Sequence, residues 1–375
     1  MKKYDIAAYV WPAYTRDEPR TRIFWPEGIG EWQSVKNAEK KGDYVWGRKP
    51  LWGYVNEADP YVMEMEIDAA ADHGVNVFIY DWYWYDGRPF LENCLNDGFL
   101  KARNNDRMKF YLMWANHDAN TLWDKRTSDQ ETVIWSGRVT AEQFRVIGRR
   151  WMEKYFGHPS YYRIGGRPVV SIYDMSNFIN GLGGLENARE ALVWLDSEAS
   201  AAGFGGVHFQ MIKWGEQMIN ITGVDNTEER LSSQEILKAL PLDSLTHYQF
   251  AHFADMDLDY SEIGECAKVE WEKAASLGKP YFPHVSAGWD NNPRFTAYRA
   301  PVTKDPTPEK FEKLLRAARS FADEHCDTPL ITINSWNEWT ETSYLEPDNK
   351  FGYGYLKAVK RVFTDSTPSK GIYGV

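Results

Sequence analysis

Residues 334–348 read NSWNEWTETSYLEPD and place four carboxylates and two tryptophans directly after the apolar run PLITI. Carboxylates are costly to desolvate, and a purely structural segment rarely concentrates them beside indole rings. Glu338 and Glu341 stand three residues apart, so on a helical turn after the strand both face one way and reach one cleft. Glycoside cleavage needs such a pair: one carboxyl group protonates the departing oxygen while another acts as nucleophile or base. Asn337 and Trp339, interleaved with the pair, are expected to contact sugar. Glu346 and Asp348 are expected to cap or to pair with arginine.

Other polar and aromatic residues recur at the ends of apolar runs. Tyr9, Trp11 and Tyr14 follow the first run, Asp81, Trp82, Tyr83 and Trp84 the second, and Trp114, Asn116 and His117 the third. Tyr173 and Asp174 end the fourth, Lys213 and Trp214 the fifth, and Tyr248 the sixth. The seventh leads into HVSAGWDNNPR, with His284, Trp289, Asp290 and Arg294. Sugar hydroxyls need convergent polar partners, and sugar C–H faces stack on aromatic rings. Substrate contact is therefore expected from Tyr9, Trp11, Tyr14, Asp81, Trp82, Trp84, Trp114, Asn116, His117, Asp174, Trp214, Tyr248, His284, Trp289, Asp290, Asn337 and Trp339. Structural roles compete at several of these positions: Tyr9, Trp11 and Tyr14 are equally suited to plugging a core, and Asp81 and Asp174 to capping a helix. His117 and His284 lack paired ligand spacing, and no metal or other cofactor is expected.

These residues must be held by eight β-branched or aromatic runs, at 4–11, 76–82, 108–115, 168–174, 206–213, 243–250, 280–285 and 329–335, alternating with helix-period segments. That alternation predicts a parallel sheet with crossover helices, and eight repeats predict one closed (β/α)8 TIM barrel spanning residues 1–375. The helices are punctuated accordingly. Asp59 and Pro60 open one that Gly74 closes, and Phe311, Leu314, Leu315, Ala318, Phe321 and Ala322 mark the buried face of another. Two connections are long: 12–58, with Trp25, Trp32, Trp46 and Trp52, read as part of a cleft wall, and 214 to about 230.

Composition excludes several classes. The net charge of −11 without a basic stripe disfavours nucleic acid and anionic membrane surfaces, and no apolar run approaches a membrane span. Three scattered cysteines, Cys94, Cys266 and Cys326, indicate neither a disulfide framework nor a thiolate metal site. The first residues lack an apolar leader region, so the chain as it stands reads as cytoplasmic, or as periplasmic or secreted if a leader has been removed. Aromatic residues make up 15% of the chain, with 17 Trp and 22 Tyr, more than a core requires. The expected partner is an oligo- or polysaccharide.

The segments WNEWTETSYLEPD (336–348), YVWPAY (9–14), GVNVFIYDWYW (74–84) and HVSAGWDNNPR (284–294) resemble the family 99 glycoside hydrolases and the related WbsX-like proteins, the latter more closely. The resemblance covers most of the chain and implies a metal-free (β/α)8 barrel that cleaves glycosides with retention. It further implies that Glu338 acts as base on the substrate's own 2-hydroxyl and Glu341 as general acid, then base, with Asn337 positioning. That route requires a 2-hydroxyl anti to the leaving group, as in α-D-mannosides and α-L-rhamnosides. WbsX-like proteins also carry a glycosyltransferase label, the second reading, and a non-catalytic sugar-binding barrel is the third. Thr340 and Thr342 stand where family 99 mannosidases carry His and Gly. If that Gly serves a left-handed backbone, the local turn is expected to differ here.

Overall fold

The structure is a computed structural model describing residues 4–16, 18–215, 218–222 and 228–364. Eight parallel strands form its centre: β1 (Asp5–Val10), β2 (Val77–Tyr85), β3 (Lys109–Trp114), β4 (Arg167–Ile172), β5 (His208–Ile212), β6 (Ser244–Thr246), β7 (His284–Ser286) and β8 (Leu330–Asn334). Their order is β6-β5-β4-β3-β2-β1-β8-β7. Between β6 and the approach to β7, Leu245 N donates to Pro280 O and Phe282 N to Leu245 O, both at 2.9 Å, which joins the ends of the sheet. The fold is the (β/α)8 barrel predicted from the alternation of runs.

Helices follow most strands: α1 (Pro60–Asp72), α2 (Ala141–Trp151), α3 (Met175–Gly181), α4 (Leu185–Ala201), α5 (Ser233–Ala239), α6 (Tyr260–Ala275), α7 (Pro308–His325) and α8 (Gly354–Phe363). Asp59 caps α1 by accepting from Tyr61 N at 2.9 Å, and α7 buries the six apolar residues its spacing predicts. The β2–β3 crossover departs from the pattern. β2 continues past the barrel rim into a hairpin with Arg88–Phe90, turned by Asp86 and Gly87 at positive φ, and short helical turns over 94–107 replace a regular helix.

The barrel interior is polar and cross-linked. His284 Nδ1 and Thr246 Oγ1 each meet Thr332 Oγ1, at 2.9 and 2.8 Å, and Gln249 Nε2 donates to Asn334 Oδ1 at 2.9 Å. Among the described residues, no helix is long and apolar enough to cross a membrane.

Candidate active site

The carboxyl ends of the strands open into a cavity of about 420 Å³, the position where such barrels assemble their sites. Glu338 and Glu341 lie at its floor. The strand β8 ends at Asn334; residues 337–338 then pair with 343–344, and Trp339–Glu341 form a single helical turn between them. Arg294 organises the pair: its Nη2 donates to Glu338 Oε1 at 2.9 Å and its Nη1 to Glu341 Oε1 at 2.8 Å. The third edge of the guanidinium, Nε, donates to Glu31 Oε1 at 3.0 Å. Glu31 is fully buried and also accepts from Trp11 Nε1 at 2.5 Å.

Charge in this cluster is unbalanced, with three carboxylates on one cation and Asp81 close by. Burial pushes both Glu338 and Glu341 above the ordinary carboxylate range, and the charge of Glu341 pushes Glu338 further. The pair therefore keeps a proton to higher pH than a free carboxyl group does. Hydrogen bonds favour the ionised form at Glu338, against its deeper burial: its Oε1 accepts from Arg294 and, at 3.2 Å, from Thr340 Oγ1. Among the described residues the Glu341 carboxyl accepts from Arg294 alone, and it is the more open of the two, its side chain 14% exposed against 2%.

Asp81 faces the pair across the cavity. Its Oδ2 accepts from Tyr248 Oη at 2.9 Å, whereas Oδ1 is buried with no partner among the described residues. Burial and the charge of Glu341 push this carboxyl up, against the Tyr248 hydrogen bond. Trp11, His117, Tyr173 and Trp214 contribute aromatic walls. Trp214 stacks on His252 with centroids 4.4 Å apart, and its indole donates to Tyr173 O at 3.1 Å. Asp174 caps α3 through Asn177 N at 2.8 Å and also lines the cavity.

Of the residues expected from sequence to contact substrate, Trp11, Asp81, His117, Asp174, Trp214 and Tyr248 line this cavity with Glu338 and Glu341. The others are placed elsewhere. Trp82, Trp84 and Trp114 point from the barrel toward α2, where Trp82 and Trp114 pack on Trp151. Tyr9 and His284 belong to the barrel interior. Asn116 fixes Asp174, accepting from its N–H at 2.8 Å and donating to its carbonyl at 2.7 Å. Trp289 and Asp290 border a separate depression of about 340 Å³, where Asp290 meets Tyr44.

Tyr14, Asn337 and Trp339 act from behind. Tyr14 Oη accepts from Trp339 N at 3.0 Å, and Asn337 clamps Trp11, accepting from its N–H at 2.8 Å and donating to its carbonyl at 2.9 Å. Trp339 is buried against Tyr344. Lys213 is buried away from the cavity, paired with Glu270 and bonded to Gly215 O at 2.5 Å. The long first connection buttresses the motif: Trp32 packs on Tyr14 and Trp339, and Trp46 Nε1 donates to Thr342 Oγ1 at 2.7 Å. None of its four tryptophans lines the cavity that holds Glu338 and Glu341, in contrast to the cleft wall expected of them. In the other long connection, residues 216–217 and 223–227 lie outside the described set.

Sequence reasoning passed over Glu31, Trp123, Asp118 and Asn177, all but the first of them cavity-lining, and left Arg294, Tyr83 and Tyr173 as bare strand-end residues. The turn at Thr342 also differs from expectation. Its φ of +55° and ψ of +33° are left-handed despite the β-branched side chain. Two hydrogen bonds hold it there, one from Trp46 and one donated to Asp290 O at 2.8 Å.

With this geometry in hand, the family model named Glycosyltransferase WbsX matches residues 6–359. The chain belongs to the WbsX family. A curated relative, the uncharacterized protein WxcX of Xanthomonas campestris pv. campestris, is 24% identical over 357 residues, covering 92% of this chain and 48% of its own length. The chain thus spans about half of the relative it matches. Among solved structures, a glycoside hydrolase-like protein superposes with a TM-score of 0.63 at 13% identity, covering 97% of this chain and 94% of the other. A GH99 endo-alpha-mannosidase from Bacteroides thetaiotaomicron superposes with a TM-score of 0.60 at 15% identity, covering 95% of each chain. At such identities the likeness concerns the WbsX-family fold, a glycoside hydrolase-like barrel.

Proposed function

We propose that this chain is a retaining glycoside hydrolase acting on α-linked mannose- or rhamnose-type residues of an oligo- or polysaccharide. One observation carries the reading: Glu338 and Glu341 accept from the two terminal nitrogens of a single guanidinium at the floor of an aromatic-walled cavity. Two carboxyl groups of unequal environment are what proton donation and base or nucleophile chemistry require. Glu341, more open and less hydrogen-bonded, protonates the departing oxygen and then takes a proton from water. Glu338, held ionised by Arg294 and Thr340, removes the proton of the substrate's 2-hydroxyl as that oxygen attacks the anomeric carbon from behind. The C1–O bond breaks as the new one forms, and water reopens the ring so formed with net retention.

Asp81 Oδ1 is free to accept from a sugar hydroxyl, and Trp11 and Trp214 offer faces for C–H stacking. The family name favours a second reading, a glycosyltransferase using the same acids on an activated donor.

The test is a screen of α-mannosyl and α-rhamnosyl oligosaccharides with the wild type, Glu338→Gln and Glu341→Gln, with product anomers followed by NMR. The expected result is an α-product, with turnover reduced by at least about a thousandfold in both variants. Sugar nucleotide consumption with an acceptor glycan, without hydrolysis of any oligosaccharide, moves the assignment to transferase. Binding unchanged in both variants, with no turnover of either kind, leaves a sugar-binding barrel.

A further inference from the structure

Behind the motif lies a second group of acids that the proposed reaction does not use. Glu57 ends the long first connection, Glu66 sits on the buried face of α1, and Glu346 follows the motif; all three are buried. One carboxylate oxygen from each lies within 4.8 Å of the other two. No lysine, arginine or histidine among the described residues pairs with any of them.

Their hydrogen bonds come from neutral groups, chiefly on the motif itself. Asn337 Nδ2 donates to both oxygens of Glu57, at 3.0 and 2.9 Å, Trp336 Nε1 to Glu66 Oε2 at 3.1 Å, and Trp339 Nε1 to Glu346 Oε2 at 2.5 Å. The Cys94 thiol adds a weak contact to Glu57 at 3.7 Å. The remaining oxygens, Glu66 Oε1 and Glu346 Oε1, are buried with no partner among the described residues. Buried carboxylates left without a countercharge or donor are strongly unfavourable.

We infer that Glu57, Glu66 and Glu346 form a binding site for one divalent cation of the calcium class. One proton on the three carboxylates leaves two buried negative charges. A divalent cation held between them leaves one. Each carboxylate brings one oxygen to the cluster, and calcium accepts such hard oxygens singly or in pairs in an irregular geometry, whereas magnesium demands a stricter octahedron and keeps its waters. The ion sits behind Asn337, and all three ligands hold residues flanking Glu338, so its loss loosens the floor of the cavity.

The inference does not depend on the reaction proposed above, and its test reads no activity. The full chain, purified without chelator and dialysed into metal-free buffer, is digested for elemental analysis and melted with calcium or with a chelator. About one equivalent of calcium per chain is expected, with Tm raised by roughly 5 °C at a hundredfold excess over Kd. Glu346→Gln keeps an acceptor for Trp339 Nε1; it should fold, lose the metal and lose the calcium response. Wild-type protein with no stoichiometric metal and a Tm indifferent to calcium and chelator overturns the site. So does calcium retained in Glu346→Gln, and stoichiometric magnesium or a transition metal overturns the calcium assignment.

Discussion

Arg294 sets the acidity of the candidate pair because one rigid guanidinium serves Glu31, Glu338 and Glu341 at once. A lysine ammonium is a point charge and cannot bridge all three. Arg294→Lys is therefore expected to lower kcat/KM by roughly a hundredfold, the scale of losing one preorganised charged donor. The same change draws the cation out of hydrogen-bond reach of at least one acid that it holds down, so the pH–rate profile moves toward higher pH; an unmoved profile would assign Arg294 to packing alone. At Asp81 the free Oδ1 predicts a different signature. Asp81→Asn exchanges a potential charged acceptor for a neutral one and is expected to raise KM by about tenfold or more, as hydrogen bonds to charged groups weigh about 1.5–3 kcal/mol, with Tm not lowered, since burial already disfavours the charge there. The side-chain parity of strands shows how much of this was legible. Asp81 and Tyr83 line the cavity while Trp82 and Trp84, between them, pack toward α2, and Met113 and Ala115 line it while Trp114 does not. The sequence reading weighed aromatic type over alternation and so took rings from both faces. Arg294 and Glu31 were harder to find, since nothing in the spacing of residues 31 and 294 announces that they meet.

Elements were the most readable level. Strands are buried on both faces and rich in β-branched and aromatic residues, and helix caps are local, so the eight runs and the faces of α1 and α7 follow from periodicity. The first long connection was legible as ordered but not as a buttress, because its partners, Tyr14, Trp339 and Thr342, lie across the fold. Thr342 illustrates the consequence. A left-handed backbone costs a β-branched residue about 1–2 kcal/mol, which glycine would relieve. Glycine would also remove the hydroxyl that accepts from Trp46 Nε1 and donates to Asp290 O, and an orphaned buried donor costs about 1–3 kcal/mol. Thr342→Gly is expected to lower Tm slightly, whereas Thr342→Ser, which keeps both bonds, leaves it near the wild type. Calorimetry that finds the glycine variant more stable would show strain outweighing the two hydrogen bonds.

For the whole molecule, the scaffold and the site respond to pH in opposite senses. Burial pushes His208 down to about 4 and His252 down to about 3. Their contribution is full above the ordinary histidine pKa and is lost as pH falls toward those values. Glu270, held down to about 2 by His247 and Lys213 despite its burial, likewise loses its contribution as pH falls below the ordinary carboxylate range. Glu338, Glu341 and Asp81 are pushed up by burial, so their contribution is full below the ordinary carboxylate range and is lost as pH rises through their folded pKa. A difference measurement isolates the site from the scaffold, because Glu341→Gln leaves the histidines and Glu270 untouched. Below the ordinary carboxylate range the wild-type Glu341 is protonated in both folded and unfolded chains, and the two proteins should melt together. As pH rises, the unfolded wild type releases its proton while burial makes the folded one retain it, so the variant gains by up to about 1.4 kcal/mol per pH unit until the folded pKa is passed. Glu341→Gln should then be more stable than the wild type above the ordinary carboxylate range and inactive, stability recovered where chemistry has been given up. A Tm difference that does not grow with pH would mean that Arg294 already holds Glu341 ionised in the folded chain, leaving the pair without its proton donor.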